Sequence, residues 1–132
     1  SERISLYREL DNLTTEEEVK EFRERLEDRF GRLPSQVEQL ILVPILRRWG
    51  RSLGVQRIVL RSGVLYFFLP EDPDSPYYQG PLFGQLIAYA SFPHRQCRLE
   101  ESKKGLRMVR FSGIGSVGEI ITLIRTILGE QA

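Results

Sequence analysis

The hydrophobic pattern changes period at Gly54, and this change limits the chain to folds that combine helices with a sheet. Before Gly54 the apolar residues recur at helical spacing, whereas Val55–Leu60 and Val64–Leu69 are rich in β-branched and aromatic residues. The link Arg61-Ser62-Gly63 is short, so these two segments are expected to pair as an antiparallel hairpin. Val64–Leu69 is apolar on both faces, which is typical of a central strand.

Three helices are predicted before Gly54. The first carries apolar residues at positions 4, 7 and 10. A capping box starts the second, because Thr14 and Thr15 each have a glutamate three residues later. Its apolar stripe is expected to face inward and to end at a left-handed glycine; the residues are Val19, Phe22, Leu26, Phe30 and Gly31. Ser35 is the expected N-cap of the third helix, which should kink or restart at Pro44.

The rest of the chain contains two further helices and a second hairpin. A short helix is expected from Leu82 to Ala90, and a hairpin from Arg95 to Phe111. The last helix should begin with Ser116 as its N-cap, paired with Glu119, and end at Gly129. We therefore predict an α+β fold, in which an antiparallel sheet of about four strands packs with about five helices.

Length, net charge and cysteine count limit the functions that this chain could have. With 132 residues the chain fits one core, so residues 1–132 are expected to form a single domain. The formal net charge is only +1, which does not mark a general phosphate-backbone binder. One cysteine favours a reducing, cytoplasmic setting. The first helix lacks a capping signal, which suggests a domain excised from a larger protein; the longest apolar run is too short to cross a membrane.

The segment Gly113–Gly118 matches the G-x-G-x-x-G pattern of dinucleotide-binding turns. Such a site also needs a parallel strand after the helix, with an acidic residue at its end for the ribose. Only fourteen residues follow Gly118, and the preceding strand belongs to a hairpin. A glycine-rich turn before a capped helix is therefore the better interpretation, with a weak anion site left open.

Catalytic and metal chemistry have few candidate residues. His94 and Cys97 are the sole residues of their types, and three positions apart at a strand entry they are expected to point in different directions. A zinc site would need more such ligands. We predict no catalytic, cofactor-binding or metal-binding residue in this domain.

One charge pattern is not explained by folding. Four acids of the second helix fall on one stripe, away from the apolar stripe: Glu17, Glu21, Glu24 and Asp28. Solvated ion pairs such as Glu16–Lys20 and Arg23–Glu27 could account for much of the helix's charge. However, Glu24 and Asp28 lie near the C-terminal end, where the helix dipole disfavours acids. The stripe is our candidate surface for a basic protein partner.

The segment Leu26–Pro34 reads LEDRFGRLP and is followed by Val37 and Leu40. It resembles the L-x-D-R-F-G-x-L-P segment of the C-terminal (TRCF) domain of bacterial transcription-repair coupling factors, the Mfd family. The likeness extends to the Arg3-Ile4-x-x-Tyr7 pattern and to Leu53-Gly54-Val55, so it covers residues 3–60. Pro44 and the Gly113–Gly118 turn are departures from the family pattern.

The resemblance implies a role in transcription-coupled nucleotide excision repair. The parent protein would be an ATP-driven DNA translocase that removes stalled RNA polymerase and recruits UvrA, with ATP and Mg²⁺ confined to its motor. This domain would be non-catalytic and autoinhibitory: it would pack on the N-terminal UvrB-like module and mask the UvrA-binding surface.

Two alternatives stay open. The domain could contact DNA or RNA polymerase through its arginines, which are Arg47, Arg48, Arg51, Arg57 and Arg61. It could also be a small nucleotide-binding enzyme built on the Gly113–Gly118 turn.

Overall fold

The computed structural model describes residues 2–92 and 96–130. The chain forms two compact units, Ser1–Arg48 and Trp49–Ala132. Within the described residues there are six α-helices and one open four-stranded antiparallel sheet, which confirms the predicted α+β class. No helix in this part of the chain is long and apolar enough to span a membrane.

The first unit is helical. It contains α1 (Glu2–Asp11), α2 (Glu16–Phe30), α3 (Ser35–Ile41) and the beginning of α4 (Val43–Leu53). Thr15 caps α2 as predicted: its hydroxyl oxygen accepts a hydrogen bond from the Glu18 amide at 3.1 Å. From the start of α1 to the end of α3, the buried apolar side chains are those of Leu10, Leu13, Val19, Phe22, Leu26 and Ile41.

Two local features of this unit differ from the prediction. The N-cap of α3 is Pro34 rather than Ser35, and no side chain caps the helix. The predicted restart near Pro44 occurs at Leu42, so that α3 and α4 are separate helices and the total is six instead of about five. Pro44 then lies in the first turn of α4, where its missing amide N–H has no intrahelical partner to lose.

The second unit is built on the sheet. The strands are β1 (Arg57–Arg61), β2 (Val64–Phe68), β3 (Cys97–Glu101) and β4 (Arg107–Ser112), in the order β1-β2-β4-β3. The two predicted hairpins are present, and their inner strands pair with Leu65 opposite Phe111 and Phe67 opposite Val109. These four side chains are buried, so β2 is the central, apolar strand that the sequence predicts.

The remaining elements of this unit are helical. A short 3-10 helix (Pro76–Gln79) is followed by α5 (Pro81–Ala90), and α6 (Val117–Ile127) comes after β4. Leu86, Ile120 and Ile124 are fully buried. The Tyr77 hydroxyl donates to the Leu53 carbonyl at 3.0 Å, which fixes the 3-10 helix against the end of α4.

Candidate functional site

The acidic stripe lies on the solvent side of α2. Its members, Glu17, Glu21, Glu24 and Asp28, are all exposed. The apolar side of the same helix carries Val19, Phe22 and Leu26, which are buried, about half a turn away around the axis. The structure therefore brings the four predicted acids together on one face, with side chains accessible to a partner.

Most other acids of the first unit are engaged. Four ion pairs join carboxylates to arginines, one within α2 and three between helices: Glu27 to Arg23, Glu38 to Arg23, Glu9 to Arg25 and Glu2 to Arg29. By contrast, Glu17, Glu24 and Asp28 form no side-chain hydrogen bond or ion pair with the residues that the structure describes. Glu21 is less isolated than these three. The hydrogen bond to Glu9 is the main cause that raises the pKa of Arg25, and the negative charge of Glu21 adds to this effect.

Only one of the two predicted ion pairs within α2 forms. Arg23 Nε lies 3.1 Å from a carboxylate oxygen of Glu27. The Glu16–Lys20 pair is absent among the described contacts. Arg23 also contacts Glu38 on α3, so this side of α2 is tied to its neighbour, whereas the acidic stripe is not.

The segment that links α2 to α3 has a mixed outcome. Gly31 ends α2 with a φ of +80°, as predicted, although its ψ of −161° lies outside the left-handed helical region. The prediction that Phe30 points inward is wrong, because 55% of this side chain is exposed. Phe30 is the last residue of α2, and the guanidinium of Arg29 lies 5.3 Å from its ring centroid. Asp28, in the same segment, is exposed on the acidic stripe.

The arginines of the polymerase or DNA alternative are partly engaged within their own units. Arg48 donates to the Thr14 carbonyl at 2.6 Å, and Arg47 lies 3.9 Å from Asp11. Arg57 covers the Phe68 ring, with 5.4 Å between the guanidinium carbon and the ring centroid. Three of the five arginines therefore contact other groups of the protein, although the Arg47–Asp11 pair is exposed and long.

The Gly113–Gly118 turn is occupied by the protein's own carboxylate. Ser116 caps α6, accepting from the Glu119 amide at 3.1 Å, and the Glu119 carboxylate accepts from the Gly115 amide at 2.6 Å. The preceding strand β4 is antiparallel to both its neighbours, unlike the strand of a dinucleotide-binding unit. Two of the amides at this helix start, those of Gly115 and Glu119, are therefore already bonded to the protein's own side chains, which makes the turn a poorer anion site.

Residues with nucleophilic or metal-binding chemistry are sparse. Cys97 lies at the start of β3, and burial raises the pKa of its thiol to about 11, which disfavours the reactive thiolate. His94 lies outside the described residues. Within residues 2–92 and 96–130 no group of His, Cys, Asp and Glu side chains is arranged to hold a metal ion.

The TRCF domain family matches residues 1–79, a range that contains helices α1 to α4 and the first hairpin. The chain belongs to the TRCF domain family. Its fold is also similar to that of a solved protein described as the "Crystal structure of C-terminal domain of transcription-repair coupling factor". The match to that structure has a TM-score of 0.70 and 18% sequence identity, and covers 96% of this chain and 78% of the other. No curated protein matches the chain.

One feature of this TRCF domain is not predicted by the sequence. Between α1, α2 and α3 lies a largely apolar groove of about 300 Å³. Its edges are formed by exposed parts of Tyr7, Phe30 and Leu40. Helical spacing assigns these residues to inward-facing stripes, and spacing alone does not tell whether anything covers the ends of those stripes.

Proposed function

We propose that this TRCF domain is a non-catalytic, autoinhibitory part of a transcription-repair coupling factor. In this proposal the acidic stripe of α2 docks on a basic surface of the factor's N-terminal UvrB-like module and masks the surface that binds UvrA. The observation that supports it best is the set of exposed carboxylates without protein partners: Glu17, Glu24 and Asp28.

The contrast within the first unit supports a binding role for these residues. This unit pairs other acids with arginines, which shows that cations are available nearby. Carboxylates that stay unpaired on one face create a local negative potential in an otherwise nearly neutral chain. Such a potential favours a basic partner, and it would set the orientation and rate of docking more than the total affinity.

The proposed mechanism is a conformational clamp. A domain of this kind can control UvrA access only if it binds the closed arrangement of the factor more tightly than the open one. A polar contact formed by a few exposed charges is modest in strength, and binding of the factor to stalled RNA polymerase could then release it. ATP, Mg²⁺ and DNA would be bound by other parts of the parent protein.

The first test measures binding of the domain to the separately expressed UvrB-like module. The double variant Glu24→Lys/Asp28→Lys should bind about 10-fold or more weakly at low salt, because two attractive contacts become repulsive. The wild-type affinity should fall as salt is raised, whereas the affinity of the variant should change little. Isothermal titration calorimetry gives both numbers.

A matched control comes from the same helix. The variant Glu16→Lys/Glu27→Lys changes the net charge by the same amount, but both residues lie off the acidic stripe. Its affinity should stay within about 2-fold of wild type, since the pair of Glu27 with Arg23 is exposed and worth little. Equal losses in the two variants would show a general charge effect and would contradict the proposed face.

The second test addresses masking itself. UvrA should compete with the wild-type domain for the UvrB-like module, and the Glu24→Lys/Asp28→Lys variant should be displaced at lower UvrA concentrations. If domain and UvrA bind the module together without affecting each other, the stripe is a docking surface but the autoinhibitory role is wrong.

A further inference from the structure

The apolar groove of the first unit is a second candidate binding surface. Leu10, Phe22, Leu26 and Ile41 are buried in its floor. Along its edges 47% of Tyr7, 55% of Phe30 and 41% of Leu40 remain exposed. Large apolar side chains grouped around one concave surface are typical of an interaction site.

The groove has a shape that could accommodate one further helix. Residues of α1 form one wall, residues of α3 form the other, and the apolar side of α2 lies at the bottom. The residues that α1 contributes run from Arg3 to Leu10, so the wall is about 10 Å long, or two helical turns. The apolar face of an amphipathic helix matches such a slot, with anchors spaced i, i+4 and i+7.

The charge of the groove selects among possible helices. Arg3 is the charged residue among those that line it, and it forms no ion pair with the residues that the structure describes. The nearby acids of α1 are not available to it, because Glu2 pairs with Arg29 and Glu9 with Arg25. The acidic stripe lies on the far side of α2. The end of the groove at Arg3 therefore presents an unbalanced positive charge.

We propose that this groove binds an amphipathic helix of a partner protein, with apolar side chains seated between Tyr7, Phe30 and Leu40 and an Asp or Glu that pairs with Arg3. This inference goes beyond the clamp proposed above and does not rest on it. The two surfaces lie on opposite sides of α2 and select partners of opposite charge, so their tests are independent.

The test uses two synthetic helical peptides of about 16 residues, long enough to form a helix in part. Both carry leucines at one helical face, and they differ only in two residues at one end, Glu in the first and Lys in the second. With the whole 132-residue chain, the Glu peptide should bind with a dissociation constant in the micromolar range and about 3- to 5-fold more tightly than the Lys peptide. Fluorescence anisotropy of labelled peptides measures this.

Variants of the protein separate charge recognition from differences in peptide helicity. Arg3→Glu should invert the preference, so that the Lys peptide binds more tightly, whereas Arg8→Glu, an exposed residue of α1 outside the groove, should leave it unchanged. Because the helicity of each peptide is common to all protein forms, the comparison cancels it.

A second pair of variants locates the binding site. Phe30→Asp should weaken both peptides by about 10-fold, while Leu99→Asp, at a residue of similar exposure on β3, should not. Both sites are exposed, so neither change should prevent folding, and circular dichroism checks this.

Three results would overturn the proposal. The first is binding of neither peptide at millimolar concentration. The second is equal binding of both peptides by the wild-type chain. The third is self-association of the chain in sedimentation equilibrium that Phe30→Asp abolishes, which would make a second copy the occupant of the groove.

Discussion

Replacement of Gly54 by alanine should destabilise the second unit strongly, because two separate costs meet at this residue. Its φ is +84°, a conformation that costs an L-residue about 1–2 kcal/mol. A Cβ at this position would also lie 2.3 Å from Cε1 and 2.9 Å from Cδ1 of Tyr77. Moving the ring would disturb its hydrogen bond to Leu53 and costs about 1–3 kcal/mol as overpacking. The sum is about 2–5 kcal/mol.

The chain offers a control that shares the backbone cost alone. Gly54 and Gly129 both follow the end of a helix and are held by the same pattern of two backbone hydrogen bonds. The Gly54 and Val55 amides donate to the carbonyls of Arg51 and Gly50, and the Gly129 and Glu130 amides donate to those of Thr126 and Arg125. Gly129 has a φ of +77°, but a Cβ there meets nothing within 4 Å. Gly129→Ala should therefore cost only the backbone contribution of about 1–2 kcal/mol.

Urea unfolding followed by tryptophan fluorescence is a suitable assay, since Trp49 is the sole tryptophan and belongs to the second unit. The decisive comparison adds Tyr77→Ala. If the ring causes the clash, the double variant Gly54→Ala/Tyr77→Ala should be more stable than the two single losses predict, by about 1–3 kcal/mol. Equal losses for Gly54→Ala and Gly129→Ala, with additive effects of Tyr77→Ala, would refute the reasoning.

Two further predictions concern ionisable groups. Burial raises the pKa of Tyr77 to about 12 from an ordinary 10, so the folded state keeps the phenol proton at a higher pH than the unfolded state does. The free energy of unfolding should therefore be unaffected by this group below pH 10 and should fall between pH 10 and 12. Urea unfolding at about pH 9 and 11 should show this fall, and Tyr77→Phe should reduce it; an identical fall in the variant would assign it to other groups. With its pKa near 11, Cys97 should react with a disulfide reagent at least about 10-fold more slowly in the native state than in urea, and similar rates would contradict its burial.

Elements whose signals are local could be predicted from the sequence. The hydroxyl oxygens of the capping residues Thr15 and Ser116 each accept a hydrogen bond from the amide three residues later, so these caps depend only on nearby sequence. The hairpins follow for the same reason, since a short link leaves no other pairing. The acidic stripe was also visible, because the period of a helix places Glu24 and Asp28 on one face.

Features that depend on contacts between elements could not be predicted in this way. The pairs of Arg25 with Glu9 and of Arg29 with Glu2 join α2 to α1, and helical spacing does not tell which helices lie side by side. Phe30 continues the apolar stripe of α2, but whether it is covered depends on how far α1 and α3 extend over that stripe. The pairing of β2 with β4, which joins the two hairpins, likewise has no local signal.

The strand order has a consequence for aggregation. The inner strand β2, Val64–Phe68, contains five apolar or aromatic residues and no charge, a composition that would favour sheet growth if its edge were open. It has a neighbour on each side, and the open edges are those of β1 and β3. β1 has arginine at both ends, and β3 carries Arg98, Glu100 and Glu101. Another strand added to either edge would have to desolvate these charges, which protects the domain from edge-to-edge polymerisation.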